Sequence, residues 1–328
     1  MLNRRRFLVA ASSGIVVAAL GQLPSGASST AGGGVGSNKT RQLTEFPFRA
    51  VAPSIGQDGF YPEVRLSQTT PFQGGALLVT ASNALAGTAR VFGRDYVLGP
   101  GPEGVAGIVG FGTEDPPGAA NLVVSLTDTL GQPLNYGYSI TVRATQWTFD
   151  DIIIQPAPPP DPNAPPPPPP PPNDQPFLNE AYAKLTTRMW EGAWIIPIEL
   201  GGDIWISGYF GEERSFNGGP RGGHHGGSDI AAPANTPVRA TNRGVVALSM
   251  LGSIRGNVVA IDHGSGIVSS YGHMSSANVA TGQTVERGDV IGYVGSTGLS
   301  TGPHLHWELA VSGVLVDGLR WLDGTQGF

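Results

Sequence analysis

The stretch Pro303-His304-Leu305-His306-Trp307-Glu308-Leu309 alternates polar and apolar residues, and a period of two belongs to a strand. Residues two apart on a strand share a face, with α-carbons about 7 Å apart. His304 and His306 therefore look into one groove. Outward from this stretch the pattern recurs in Pro237–Ala240, Gly244–Leu248, Asn257–Asp262, Gly266–Tyr271, Val290–Val294 and Val314–Val316, with glycine turns between most of them. The expectation is an antiparallel β domain over residues 177–328 with little helix. One short helix is expected over 177–190, where Phe177, Leu178, Tyr182, Leu185 and Met189 fall at near-helical spacing.

The N-terminal half also reads as all-β. Ala76–Thr80 and Asn121–Leu126 are short apolar runs, and Tyr138–Val142 alternates more cleanly. Gly87, Gly99-Pro100-Gly101 and Pro116-Pro117-Gly118 are read as turns between such runs. Short strands at this spacing predict an immunoglobulin-like β-sandwich over residues 45–154. Residues 155–176 form a proline-rich linker that includes eight consecutive prolines, Pro165–Pro172. Such a run favours an extended polyproline II stalk, at about 3.1 Å per residue, holding the two halves apart. The fold class expected for the chain is thus all-β.

Composition narrows the classes of function. The 328 residues carry a net charge of -6, only 13% of them are charged, and Lys39 and Lys184 are the only lysines. No basic stripe is present for a nucleic acid to read, so none is expected as a partner. The absence of cysteine excludes thiolate ligands, thiol nucleophiles and disulfides. Residues 1–27 read as an export signal of the twin-arginine type: Asn3-Arg4-Arg5-Arg6-Phe7-Leu8, then the apolar stretch Leu8–Leu20, then Ser25-Gly26-Ala27. Contact with a membrane is expected only through this segment, if it stays uncleaved. Residues 28–44, rich in Ser, Gly and Thr, read as a flexible lead-in.

The chemistry is concentrated in the last third. His225 and Asp229 lie in His225-Gly-Gly-Ser-Asp229, and His273 lies in Tyr271-Gly-His-Met274. Gly226 and Gly227 argue against a helix here, each costing about 1 kcal/mol relative to alanine. The segment reads as a loop entering a strand at Asp229. Two imidazoles and a carboxylate suit one zinc ion, and three protein ligands leave a position open for water. Two histidines then remain to handle protons. His224 lacks a carboxylate at the same offset and reads as a neighbour of the site. His263, in a turn before a glycine, reads as structural.

In their order, these pieces resemble the lysostaphin/LytM-type zinc metallopeptidases, which cleave peptide cross-bridges in bacterial cell walls. The matching stretches are His225–Asp229 with Ile230–Val238, Asp262-His-Gly-Ser-Gly266, Tyr271-Gly-His-Met274, Gly282–Gly292, Gly295-Ser-Thr-Gly298 and Thr301–Glu308. Together they span residues from about 190 to 322. Gly208–Arg214 looks like the approach to the first ligand in that family. The resemblance implies that His225, Asp229 and His306 hold the zinc and that His273 and His304 are catalytic. It implies a zinc metalloendopeptidase, exported to the periplasm, cell envelope or medium, acting on peptidoglycan peptide stems. Gly318 departs from the proline expected before the terminal Trp-Leu, which touches packing rather than chemistry.

Three alternatives compete with this reading. Gly282–Gly292 is similar to turns of biotinyl and lipoyl carriers, but no lysine follows Lys184, so nothing could be modified. A catalytically silent wall-binding or amidase-activating protein of the same fold is opposed by the intact five-residue set. Metal-dependent sugar chemistry would call for paired acids flanking a groove, and Asp262, Glu286, Asp289 and Glu308 are scattered. The N-terminal half offers no titratable cluster and reads as a spacer or wall-binding module.

Overall fold

The computed structural model describes residues 61–153 and 169–322. The expected export segment 1–27, the lead-in 28–44 and the linker up to residue 168 lie outside the described residues. No helix of the described residues is long and apolar enough to cross a membrane.

Seven strands make the first sheet: β1 (Val64–Leu66), β2 (Ala76–Ser82), β3 (Ala84–Val91), β4 (Arg94–Pro100), β5 (Gly104–Gly110), β6 (Gly118–Asp128) and β7 (Pro133–Val142). Their order is β1-β2-β5-β4-β3-β6-β7, and every pairing is antiparallel. Alternation fixes the register: Leu122, Val124 and Leu126 turn inward on β6 while their neighbours stay more exposed. Gly87 is not a turn, as expected from the sequence, but lies inside β3. A β-carbon there would sit 2.6 Å from Leu126 Cδ2, so glycine lets β6 approach.

After β7 the chain leaves this sheet. Strand β8 (Phe149–Ile152) pairs in parallel with β10 (Glu213–Phe216), so these residues join the C-terminal half instead of the sandwich expected to run to residue 154. Asp151 Oδ1 secures the pairing by accepting from Ser215 Oγ at 2.5 Å and from the Gly218 amide at 3.0 Å.

The remaining elements are α1 (Gln175–Tyr182), β9 (Trp205–Gly208), β11 (Ser228–Ala231), β12 (Pro237–Arg239), β13 (Gly244–Leu251), β14 (Asn257–Gly264), β15 (Ile267–Ala277), β16 (Thr284–Val285), β17 (Val290–Val294), β18 (His304–Val311) and β19 (Val314–Val316). The main sheet runs β16-β13-β14-β15-β18-β11-β9 and is antiparallel; β12 pairs with β17, β17 also with β15, and β19 with β18. Strands β14, β15 and β18 are buried on both faces, which accounts for their dense apolar runs. On β14, Val259 and Ile261 enter one core, while Val258 and Ala260 meet Leu178, Ala181 and Tyr182 of α1 on the other face.

Helix α1 ends at Tyr182, well short of the expected residue 190. The next residues are drawn into extended contacts with the β14–β15 turn: the Ser265 amide donates to Thr186 O at 2.8 Å and the Met189 amide to His263 O at 2.8 Å. Leu185, expected on the apolar face, is exposed.

The two halves are not held apart. One buried cluster joins Val109 and Phe111 of the first half to Trp190, Trp194, Leu309, Val311, Val316 and Trp321 of the second. Nothing in the chain's pattern marks this contact, because each half supplies an ordinary apolar run.

His263 is enclosed beside Trp194, at 4.8 Å between ring centroids. Its Nδ1 lies 2.8 Å from Arg243 O and its Nε2 2.7 Å from Ser269 Oγ. Burial pushes its pKa down to about 4. An unfolded histidine titrates near 6.5, so between pH 6.5 and 4 the unfolded chain takes up the proton first. The stabilising contribution is complete above pH 6.5 and fades as pH falls toward 4, by about 3 kcal/mol in all. His263→Gln should flatten this part of the pH–stability curve in denaturant titrations. Equal acid sensitivity of variant and parent would contradict the assignment.

Candidate metal centre

Cross-strand register assembles the centre. Asp229 on β11 stands opposite His306 on β18, and Ala231 opposite His304. On the other side of β18, Gly272 of β15 stands opposite His306. His273 then adopts φ 61°, a left-handed conformation uncommon for a residue with a side chain. It sits where the β14–β15 register shifts, between Tyr271 and Met274, and such bulges re-aim side chains beside functional sites. The His273 amide donates to Arg255 O at 2.6 Å, which helps hold the strained turn.

His225 arrives on a loop. Its amide donates to Glu212 O and its carbonyl accepts from Gly211, both at 2.8 Å. Gly227 lets this loop press on β18, since a β-carbon there would lie 2.3 Å from Trp307 O.

Three donor atoms converge. His306 Nδ1 is 2.7 Å from Asp229 Oδ1 and 3.0 Å from His225 Nε2, and His225 Nε2 is 3.2 Å from the same carboxylate oxygen. Donors around a tetrahedral ion at about 2.0–2.1 Å lie roughly 3.3 Å apart, so small side-chain movements suffice to admit one. The outward nitrogens are occupied: His225 Nδ1 lies 2.9 Å from Tyr209 O and His306 Nε2 2.9 Å from Glu308 Oε1. Those acceptors engage the outward nitrogens, so Nε2 of His225 and Nδ1 of His306 are the ones a metal would take once the protons they share with Asp229 are released. Among the described residues, His225, Asp229 and His306 are the group that could hold a metal ion. The donor set fits zinc.

The electrostatics agree. Burial works against ionisation of Asp229, but hydrogen bonds from His225 and His306 outweigh it and hold the carboxyl far below the usual range. Burial also opposes charge on His306, yet hydrogen bonds to Asp229 and Glu308 raise its pKa to about 9. A metal must displace that proton, so loading releases one. Burial, then the charges of His306 and His304, push His273 down to about 3.

His304 and His273 flank the donors. Their rings are 4.7 Å apart, and His304 Nε2 is 3.8 Å from Asp229 Oδ1. Each anchors Nδ1 on a backbone carbonyl at 2.8 Å, His304 on Gly302 and His273 on Thr297. All five residues singled out in the sequence therefore meet in one place. His224 stays outside the donor set, its Nδ1 2.8 Å from Gly211 O and its ring 5.4 Å from that of Trp147.

The site opens into a cleft of 890 Å³, with Asp150–Ile153 on one wall and the exposed Trp205, Phe216, Ile254 and Leu299 around it. Sequence reading missed the supports. Arg214 NH2 lies 2.6 Å from Asp229 Oδ2, and Arg255 NH2 lies 2.6 Å from Glu308 Oε1. Glu308 carried a signal in the two-residue period that paired His304 with His306. Tyr182, which bonds Glu308, carried none.

Residues 223–318 match the sequence profile of Peptidase family M23. DD-carboxypeptidase/endopeptidase Mpg of Neisseria meningitidis is 48% identical over 89 residues, 27% of this chain and 20% of that protein. Peptidoglycan DD-endopeptidase ShyA of Vibrio cholerae is 44% identical over 96 residues, 29% of this chain and 22% of that protein. The matched segment spans about a fifth of the length of these relatives. A crystal structure from Pseudomonas aeruginosa assigned to peptidase M23 covers 79% of this chain and 96% of its own, with a TM-score of 0.53 and 23% identity, which shows a shared fold. The chain carries an M23 peptidase domain.

Proposed function

We propose that this M23 domain is a zinc-dependent endopeptidase that hydrolyses peptide cross-links of peptidoglycan. The observation that carries the proposal is the convergence of three donor atoms beside two further imidazoles in an open cleft. The substrate class is supported by the Vibrio cholerae relative, which is named a peptidoglycan DD-endopeptidase. A zinc ion held by His225, Asp229 and His306 supplies Lewis acidity, which acidifies water and polarises a carbonyl.

The protein's own groups then manage protons. His304, with Nδ1 fixed on Gly302 O, takes a proton from the attacking water at Nε2. As the C–O bond forms and the C–N bond breaks, it returns that proton to the leaving nitrogen. His273, with Nδ1 fixed on Thr297 O, offers an acceptor at Nε2 in its neutral form. That favours a bond to an N–H of the leaving amine over donation to the oxyanion.

The test is release of dye from labelled wall sacculi by the zinc-loaded protein. Release that stops with a chelator and returns with zinc is expected. Intact sacculi in the presence of zinc-loaded protein would refute the reading and favour a silent wall-binding or amidase-activating role.

The strand order β1-β2-β5-β4 followed by β3-β6-β7 matches the ABED and CFG sheets of an immunoglobulin-like sandwich, and supports reading the N-terminal half as one. Residues 1–27 are proposed to direct export by the twin-arginine route. Replacing Arg4 and Arg5 with lysine should retain the protein in the cytoplasm on cell fractionation; unchanged export would exclude that route.

A further inference from the structure

We infer that helix α1 is a positioning element for the metal site, acting on His306 through a buried Tyr182–Glu308 contact. The inference rests on the zinc reading above. His306 can give Nδ1 to a metal only while Nε2 carries the hydrogen, and Glu308 Oε1, 2.9 Å from Nε2, is what holds it there. Glu308 is 1% exposed, and a buried carboxylate persists only when its oxygens are satisfied.

The partners that satisfy it converge from separate parts of the chain. Arg255 NH2 lies 2.6 Å from Oε1, Ser270 Oγ 2.9 Å from Oε2, and the Tyr182 hydroxyl donates to Oε2. Arg255 is itself held from the start of α1: its NH1 donates to Gln175 Oε1 at 2.9 Å and its backbone amide to Asp174 Oδ2 at 2.6 Å. Asp174, Gln175 and Tyr182 all lie outside residues 223–318, the part matched to the family. The chain immediately after the prolines thus orients Glu308 twice, directly through Tyr182 and indirectly through Arg255. With Oε2 engaged by the tyrosine, Oε1 faces the imidazole and the guanidinium and keeps a hydrogen on Nε2 of His306, so that Nδ1 is the nitrogen given to a metal.

The experiment measures zinc affinity of the full chain by competition with a chromophoric chelator, together with the His306 tautomer by nitrogen NMR. Loss of such a supporting contact typically weakens metal binding about 10- to 100-fold. Glu308→Gln should fall in that range and Tyr182→Phe near its lower end, each with a more mixed His306 tautomer. Tyr271→Phe is the control, because that buried hydroxyl bonds Ser269 and Thr241 and does not touch Glu308; it should bind zinc like the parent. Parental affinity and tautomer in folded Tyr182→Phe would overturn the inference, as would equal weakening in all three variants. A parent protein that binds no zinc would overturn the metal reading and this inference with it. Zinc binding that follows the expected order in a protein that leaves sacculi intact would sustain the inference and refute only the hydrolase.

Discussion

Asp229→Ala is expected to abolish both zinc retention and hydrolysis. One oxygen of Asp229 meets His306 Nδ1 at 2.7 Å and His225 Nε2 at 3.2 Å, and the other meets Arg214 NH2 at 2.6 Å. The substitution removes one of three ligands and leaves two imidazoles, too few for a tight site. It also removes the nearest counter-charge of Arg214 and leaves it only Glu212 Oε2 at 3.8 Å, which weakens the loop that carries His225. Asp229→Asn separates the two effects, because it keeps the shape and an acceptor while removing the charge. Zinc per chain after dialysis, read beside thermal unfolding, should fall to background in both variants, with the larger stability loss in the alanine variant. Parental zinc content in either one would remove Asp229 from the site.

His304→Ala is expected to behave differently. Zinc content should match the parent, while kcat falls by about 10²–10⁴, the usual contribution of a general acid–base group. The reason lies in the strand. His304 and His306 share a face of β18, but His306 pairs with Asp229 across the strand boundary while His304 pairs with Ala231. Their neighbours therefore differ although their direction does not. Zinc loss in His304→Ala would mean that ligand and base are exchanged.

Much of the catalytic half was readable because strands obey a short period. Once His304–Leu309 is taken as a strand, the shared face of its two histidines follows, and Asp229 at the entrance of another strand can pair beside them. The features that were not readable all depend on distant packing. Strand β8 is short and largely exposed, and only its parallel fit beside β10 gives it a place. Helix α1 stops early because turn residues 263–265 capture the backbone that follows it. The contact between the halves is carried by apolar residues indistinguishable in sequence from any core. Gly87 shows the same limit: a glycine inside a strand and a glycine in a turn look alike until its neighbour, here Leu126, is known.

The supports of the metal site divide in the same way. Glu308 was legible in principle, two residues beyond His306 on the same face. Tyr182 was not, for 126 residues separate it from the carboxylate it bonds. Local periodicity names the ligands, whereas long-range packing decides which groups hold them in the ligating form.

The most direct measurement is zinc-edge X-ray absorption on the zinc-loaded protein, with zinc per chain determined on the same sample. One zinc per chain is expected, bound by two imidazole nitrogens at about 2.0–2.1 Å and a carboxylate oxygen at about 2.0–2.2 Å. A loaded sample without bound zinc, or zinc lacking imidazole scattering, would contradict the account.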